Sequence, residues 1–169
     1  MHIHSDGIVN GYLNDSFGNR GTQFNKKATR SFHLSWNKLP KGTDSLALTF
    51  IDHDAIPVCG FSWIHWTVAD IEPTINELPE NASVDMDLLE GVTSWDSKLL
   101  ADDWRLSRKD AIGYGGCAPP DKDHCYSITL YALDKKLHLE RGFYLNELLW
   151  AIEGHVLGQV TINAIYRTK

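Results

Sequence analysis

The feature that most limits what this chain can fold into is a period-two pattern that recurs five times, against a helical period that occurs once. "SFHLSW" sets Phe32, Leu34 and Trp36 against polar partners. "SLALTFI", "FSWIHWTVA", "YSITLYAL" and "VTINAIY" are similarly short and rich in β-branched or aromatic residues. All five read as strands. The turn residues of "KLPKGTD", 38–44, join the first pair, and the proline-punctuated "IEPTINELPENAS" ends the third, so antiparallel pairing is expected. The helical period lies in "YLNELLWAIEGH", where Leu145, Leu148, Leu149 and Ile152 share a face and Gly154 can close the helix. Residues 90–114 show no sustained period and exceed the usual connection length, which points to a functional loop. Many short strands with few helices predict a mainly β fold, an antiparallel β-sandwich.

A length of 169 residues, with 43% hydrophobic and 22% charged, fits one globular domain spanning 1–169. A net charge of -6 and scattered Lys and Arg argue against nucleic acid as a partner. The start, "MHIHSDGIVNGY", lacks a basic segment followed by an apolar one, and no apolar run is long enough to span a bilayer. A cytoplasmic protein with no membrane insertion is the expectation. Cys59, Cys117 and Cys125 are an odd set without zinc-ribbon spacing, so reduced thiols are expected.

Chemistry collects where the strands end. Alternation puts Leu46, Leu48, Phe50 and Asp52 on one face, so a carboxylate closes an apolar column. Such a group needs a partner, since even an unpaired buried amide or hydroxyl costs roughly 1–3 kcal/mol. Trp63, His65 and Thr67 share a face of the next strand, which makes His65 the candidate. In "GYGGCAPPDKDHCY", Gly113, Gly115 and Gly116 open backbone conformations closed to other residues, and Pro119 and Pro120 stiffen the chain beyond them. That loop can turn the N–H groups of Gly116 and Ala118 inward beside His124 and Tyr126, surrounding an anion without any Lys or Arg.

Each residue also has a plain structural reading. Asp52 can be a turn-former, His65 a satisfied core histidine, and His124 and Tyr126 strand-entry residues; Asp54 is read as holding the turn before Pro57. Cys59 and Cys117 read as small apolar fillers. Asp52, His53, Asp54, His65 and His124 are metal-ligand types, and "HIH" resembles a chelating pair in a mobile terminus. No H-E-x-x-H helix or paired C-x-x-C anchors a site, so neither metal nor cofactor is expected.

Taken together, these blocks resemble the phosphatidylethanolamine-binding protein family, in its bacterial Raf-kinase-inhibitor-like branch. The family's D-P-D-A-P stands here as Asp52-His53-Asp54-Ala55-Ile56-Pro57, with His53 for proline and Ile56 inserted. Its W-x-H is Trp63-Ile64-His65. Its G-x-G-P-P and H-R-Y are Gly116-Cys117-Ala118-Pro119-Pro120 and His124-Cys125-Tyr126, and "EGHVL" before the last strand also matches. The resemblance implies a Greek-key β-sandwich with a small cavity for phosphate, the phosphoryl head of a lipid, or acetate-like anions. Carried over by position, its ligand-binding residues are Asp52, Pro57, Trp63, His65, Gly116, Ala118, Pro120, His124 and Tyr126. It also implies a homodimer.

The expected function is therefore a non-enzymatic binding module for a small anionic or phosphoryl-bearing ligand. Protonated His65 or His124 would attract the anion, and Asp52 would orient an imidazole. The alternative is a hydrolase of a phosphate or ester with His65 as general base and Asp52 as its orienter. A third reading is a protein-interaction role for the loop around Trp95 and Trp104.

Overall fold

In the computed structural model, which describes residues 1–168, every one of the five period-two segments contains a strand. The strands are β1 (His2–His4), β2 (Ile8–Val9), β3 (Tyr12–Leu13), β4 (Gln23–Phe24), β5 (Lys27–Ala28), β6 (Leu34–Asn37), β7 (Ser45–Asp52), β8 (Trp63–Ile71), β9 (Glu77–Leu78), β10 (Leu89–Glu90), β11 (His124–Leu133) and β12 (Val156–Tyr166). The helices are short: α1 (Ile56–Cys59), α2 (Ala82–Asp85), α3 (Arg108–Ala111) and α4 (Leu145–Ile152). Among the described residues no helix is long and apolar enough to cross a membrane.

The large sheet runs β10-β8-β7-β11-β12-β3-β2, a smaller one runs β1-β6-β9, and β4 pairs with β5 alone. Leu46, Leu48 and Phe50 of β7 meet Leu34, Trp36 and Leu78 of the smaller sheet in one core. Fully burying a side chain of this size contributes about 1.5–3 kcal/mol. On the other face of β7, Ala47 packs with Ala69, Leu133, Leu148 and Ile152 beneath α4. With both faces covered, β7 reads as a continuous apolar run; β11, covered less completely, keeps the alternation.

Four features depart from the sequence reading. Residues 38–44 do not close a hairpin, because β6 and β7 belong to different sheets; left-handed Lys38 (φ 55°) and Gly42 (φ 88°) turn the chain from one to the other. The "HIH" start is strand β1, with His2 paired to Asn37 and His4 to Ser35. The β7–β8 register slips between Phe50 and Ile51, so His65 is an extra residue and Thr67 pairs with Thr49, on the Ala47 face. In α4, Leu148 and Ile152 are buried while Leu149 is exposed. Gly154 (φ 78°) follows the helix as expected.

The long segment 90–114 begins at a buried acid. Glu90 accepts from the Trp66 indole (2.8 Å), the Ser83 hydroxyl (2.6 Å) and Arg141 (3.2 Å). Burial pushes its carboxyl above the usual range, opposed by those donors and by Lys27.

Candidate functional site

Register brings the polar strand ends together. Asp52, the last residue of β7, pairs with Trp63 of β8 on one side and Tyr126 of β11 on the other. Paired residues share a face, and so does His124, two positions before Tyr126. His65 joins them through the bulge: its ring lies 5.3 Å from that of Phe50 and 5.1 Å from that of Tyr126.

The partner of Asp52 is His124, not His65. Asp52 Oδ2 accepts from His124 Nδ1 at 2.7 Å, and Oδ1 accepts from the Ala55 N–H at 3.1 Å. His124 Nε2 lies 2.8 Å from Asp121 Oδ1. Ionised carboxylates only accept, so an imidazole with both nitrogens against carboxylates carries both protons. His124 is an imidazolium. Burial opposes that charge, and the bonds to Asp52 and Asp121 outweigh it, raising the pKa above the ordinary histidine value.

His65 is the reverse case. Its Nδ1 donates to the Gly115 carbonyl at 2.6 Å, and its own carbonyl accepts the Gly115 N–H at 2.8 Å. A carbonyl can only accept, so Nδ1 carries the proton and Nε2 of the neutral ring presents a lone pair. Burial lowers its pKa despite the nearby Asp52 carboxylate. Of the two histidines that the sequence offered for protonation, His65 or His124, the geometry favours His124, and Asp52 bonds His124 where the hydrolase alternative paired it with His65. Gly115 is clamped tightly: a Cβ there would lie 3.0 Å from Trp95 Nε1.

These side chains line a cavity of about 680 Å³. Its buried end holds Asp52 (3% exposed), His65 (3%), His124 (1%) and Tyr126 (0%). Its open side is formed by Val58, Leu100 and Trp104, with the Lys26 ammonium 5.2 Å from the Trp104 ring centre. Trp63 and Trp95 meet edge to face at 5.4 Å between ring centres. Among the described residues, four side-chain atoms on lining residues have no hydrogen-bond partner in good geometry: three donors, the Tyr126 hydroxyl, which lies beside Asp52 and Cys117, and the Trp63 and Trp95 indole N–H groups, and one acceptor, Asn19 Oδ1. Buried polar groups are ordinarily bonded, so unpaired groups on four residues lining one cavity set it apart from the rest of the interior. Burial, with Cys117 and Asp52 nearby, pushes the Tyr126 phenol far above its usual range, which keeps it a donor.

Of the nine residues predicted from sequence, Asp52, Trp63, His65, Ala118, Pro120, His124 and Tyr126 line this cavity, while Pro57 and Gly116 do not. Ile56 displaces Pro57 by one position, and Pro57 sits exposed in the first turn of α1. The Gly116 N–H is used by the Ala28 carbonyl (2.9 Å), and a Cβ there would lie 2.3 Å from the Phe17 carbonyl oxygen. It packs the wall and does not face the cavity. Asp54 accepts the Cys125 N–H at 2.8 Å, tying the turn after β7 to β11. Cys125 is exposed, away from the face of His124 and Tyr126, and Cys117 is fully buried. The sequence reading missed Asn19, Gln23 and Lys26, Leu100 and Thr168, all of which line the cavity, and Asp121, which binds His124.

The model of the phosphatidylethanolamine-binding protein family matches residues 5–167. The chain belongs to that family. YxkA of Bacillus subtilis, described as an uncharacterized protein, is 44% identical over 164 residues, covering 94% of this chain and 96% of its own. A UPF0098 protein of Methanothermobacter thermautotrophicus is 36% identical over 136 residues, 79% of this chain and 80% of its own. A crystal structure of a phosphatidylethanolamine-binding protein homolog from Chlamydia trachomatis superposes with a TM-score of 0.79 at 25% identity, covering 99% of this chain and 97% of that one. The mainly β fold read from the sequence is that of this family.

Proposed function

We propose that this member of the phosphatidylethanolamine-binding protein family is a binding module that holds a small anionic or phosphoryl-bearing ligand at the buried end of the 680 Å³ cavity. The observation that carries the reading is the set of orphaned donors, Tyr126 hydroxyl and Trp63 and Trp95 indoles, on residues that line the same cavity as the His124 imidazolium. Donors beside a fixed positive charge suit an oxyanion. The lone pair of His65 Nε2 suits a ligand that also carries a hydroxyl or a protonated oxygen, as a phosphoryl monoanion does. Val58, Leu100 and Trp104 leave room beyond the head for an apolar or aromatic body.

Titrating the protein with inorganic phosphate and phenyl phosphate by calorimetry tests this. Modest binding is expected, and Tyr126→Phe should weaken it by roughly tenfold or more, the usual scale for a hydrogen bond to a charged group. His65→Ala should weaken it without unfolding the chain. Absence of binding of either compound from acidic to neutral pH would contradict the reading. A phosphatase or esterase activity lost in His65→Ala would favour the hydrolase instead. The proposal extends to a homodimer, supported by the exposed Leu149 and Trp150 of α4; sizing chromatography with light scattering tests that part.

A further inference from the structure

We infer that Asp121 is an internal competitor for the anion site: its carboxylate occupies the His124 Nε2–H that an anionic ligand would use, and the ligand binds by displacing it. This inference rests on the anion-binding reading and names the residue that sets its affinity and selectivity.

The two carboxylates on His124 are chemically alike and structurally unlike. Asp52 ends a central strand, its side chain is 5% exposed, and its second oxygen is held by the Ala55 N–H. Removing it would strand a buried cation. Asp121 lies in the loop between Pro120 and β11, and its side chain is 49% exposed. Detaching it releases a carboxylate into water, which solvates it well. The His124 N–H it leaves behind is inside and charged, so it requires another acceptor. Pro119, Pro120 and His124 line the cavity and Asp121 does not, so the contact between Asp121 and His124 sits at the cavity edge.

A phosphoryl oxygen meets that requirement with a charge-assisted bond of the same kind. Asp121, tethered three residues from His124, is present at an effective concentration far above that of any free weak anion. The site therefore rejects ligands that offer His124 no more than a carboxylate does. It accepts those that also engage the Tyr126 hydroxyl and the indole donors. The His124 bond holds the Asp121 carboxyl below its usual range, consistent with a carboxylate acting as the bound anion.

The test is calorimetric titration of the wild type and of Asp121→Asn, Asp121→Ala and Asp123→Asn with inorganic phosphate and with acetate. Thermal unfolding of each confirms the fold. Asp123→Asn removes the same charge two residues away and keeps an oxygen for the Thr168 N–H that Asp123 binds at 3.0 Å. Both Asp121 variants should bind phosphate about fivefold or more tightly than wild type, the gain expected when a charged competitor is lost. Their preference for phosphate over acetate should narrow, and Asp123→Asn should stay within about twofold of wild type. In wild type, phosphate should also shift the Asp121 carboxyl carbon resonance towards that of a free side chain. If wild type binds phosphate and the Asp121 variants bind it no more tightly, or Asp123→Asn gains as much, displacement is wrong and the anion site stands. If none of the proteins binds phosphate, the anion site and the competitor fall together.

Discussion

His65 and His124 are buried to nearly the same extent, 3% and 1% exposed, and hold opposite charge states on the same cavity. Burial alone disfavours the imidazolium at both. The difference comes from what each ring touches: a carbonyl on Nδ1 of His65, a carboxylate on each nitrogen of His124. A backbone carbonyl fixes a tautomer; two acids fix a charge. The cavity thereby gains one lone pair and one positive charge from the same residue type, which is what a ligand with both a protonated and an ionised oxygen requires.

The harshest way to break this contrast is Asp52→Ala. Losing one partner of a buried ion pair costs about 3–5 kcal/mol, and His124, left with Asp121 alone, should then give up its proton at lower pH than in wild type, bringing the two rings closer. Urea denaturation and imidazole NMR would show both effects. The pH dependence of stability separates the rings next, with opposite signs. His65 is neutral when folded and has a pKa near 6.5 when unfolded, so the unfolded chain takes up a proton first. Its stabilising share is lost as pH falls below about 6.5, by up to ~1.4 kcal/mol per pH unit. His124 has a raised folded value, so its share is complete below about 6.5 and is lost as pH rises through that folded value. Denaturation midpoints of His65→Gln should accordingly lose the acid-side slope and keep the alkaline one.

Tyr126→Phe sharpens the comparison by separating binding from stability. Among the described residues the hydroxyl meets no partner in good geometry, with only Asp52 and Cys117 beside it, so removing it should change stability by no more than about 1 kcal/mol, while phosphate affinity drops. Trp104→Ala gives the smallest effect. The ring is 53% exposed, so thermal unfolding should stay within about 0.5 kcal/mol of wild type and both imidazole spectra should be unchanged. Only a ligand with an aromatic body should bind that variant less well.

Range along the chain decides which parts of the site are legible in the sequence. Asp52, His124 and Tyr126 are readable because successive side chains of a strand take opposite faces, and β7 and β11 pair without a slip from Asp52 and Tyr126 to Ser45 and Leu133. Their pairing is not readable. The sequence assigns Asp52 to His65 by order along the chain, whereas the bulge at His65 and the central place of β7 put His124 beside the acid. Pro57 misleads because one inserted residue moves it around the first helical turn to the solvent side. Gln23, in β4, and Lys26, in the turn between β4 and β5, escape notice because these strands have two residues each, too few to show a period. Asp121 looks like an ordinary loop acid until the fold brings its oxygen to His124.

The most direct test of the account is the nitrogen NMR spectrum of the two imidazoles, recorded at neutral pH with and without inorganic phosphate. The prediction is a doubly protonated His124, a neutral His65 protonated at Nδ1, and movement of the Nε2 resonance of both rings as phosphate is added. A charged His65 beside a neutral His124, or two rings that ignore phosphate, would contradict it.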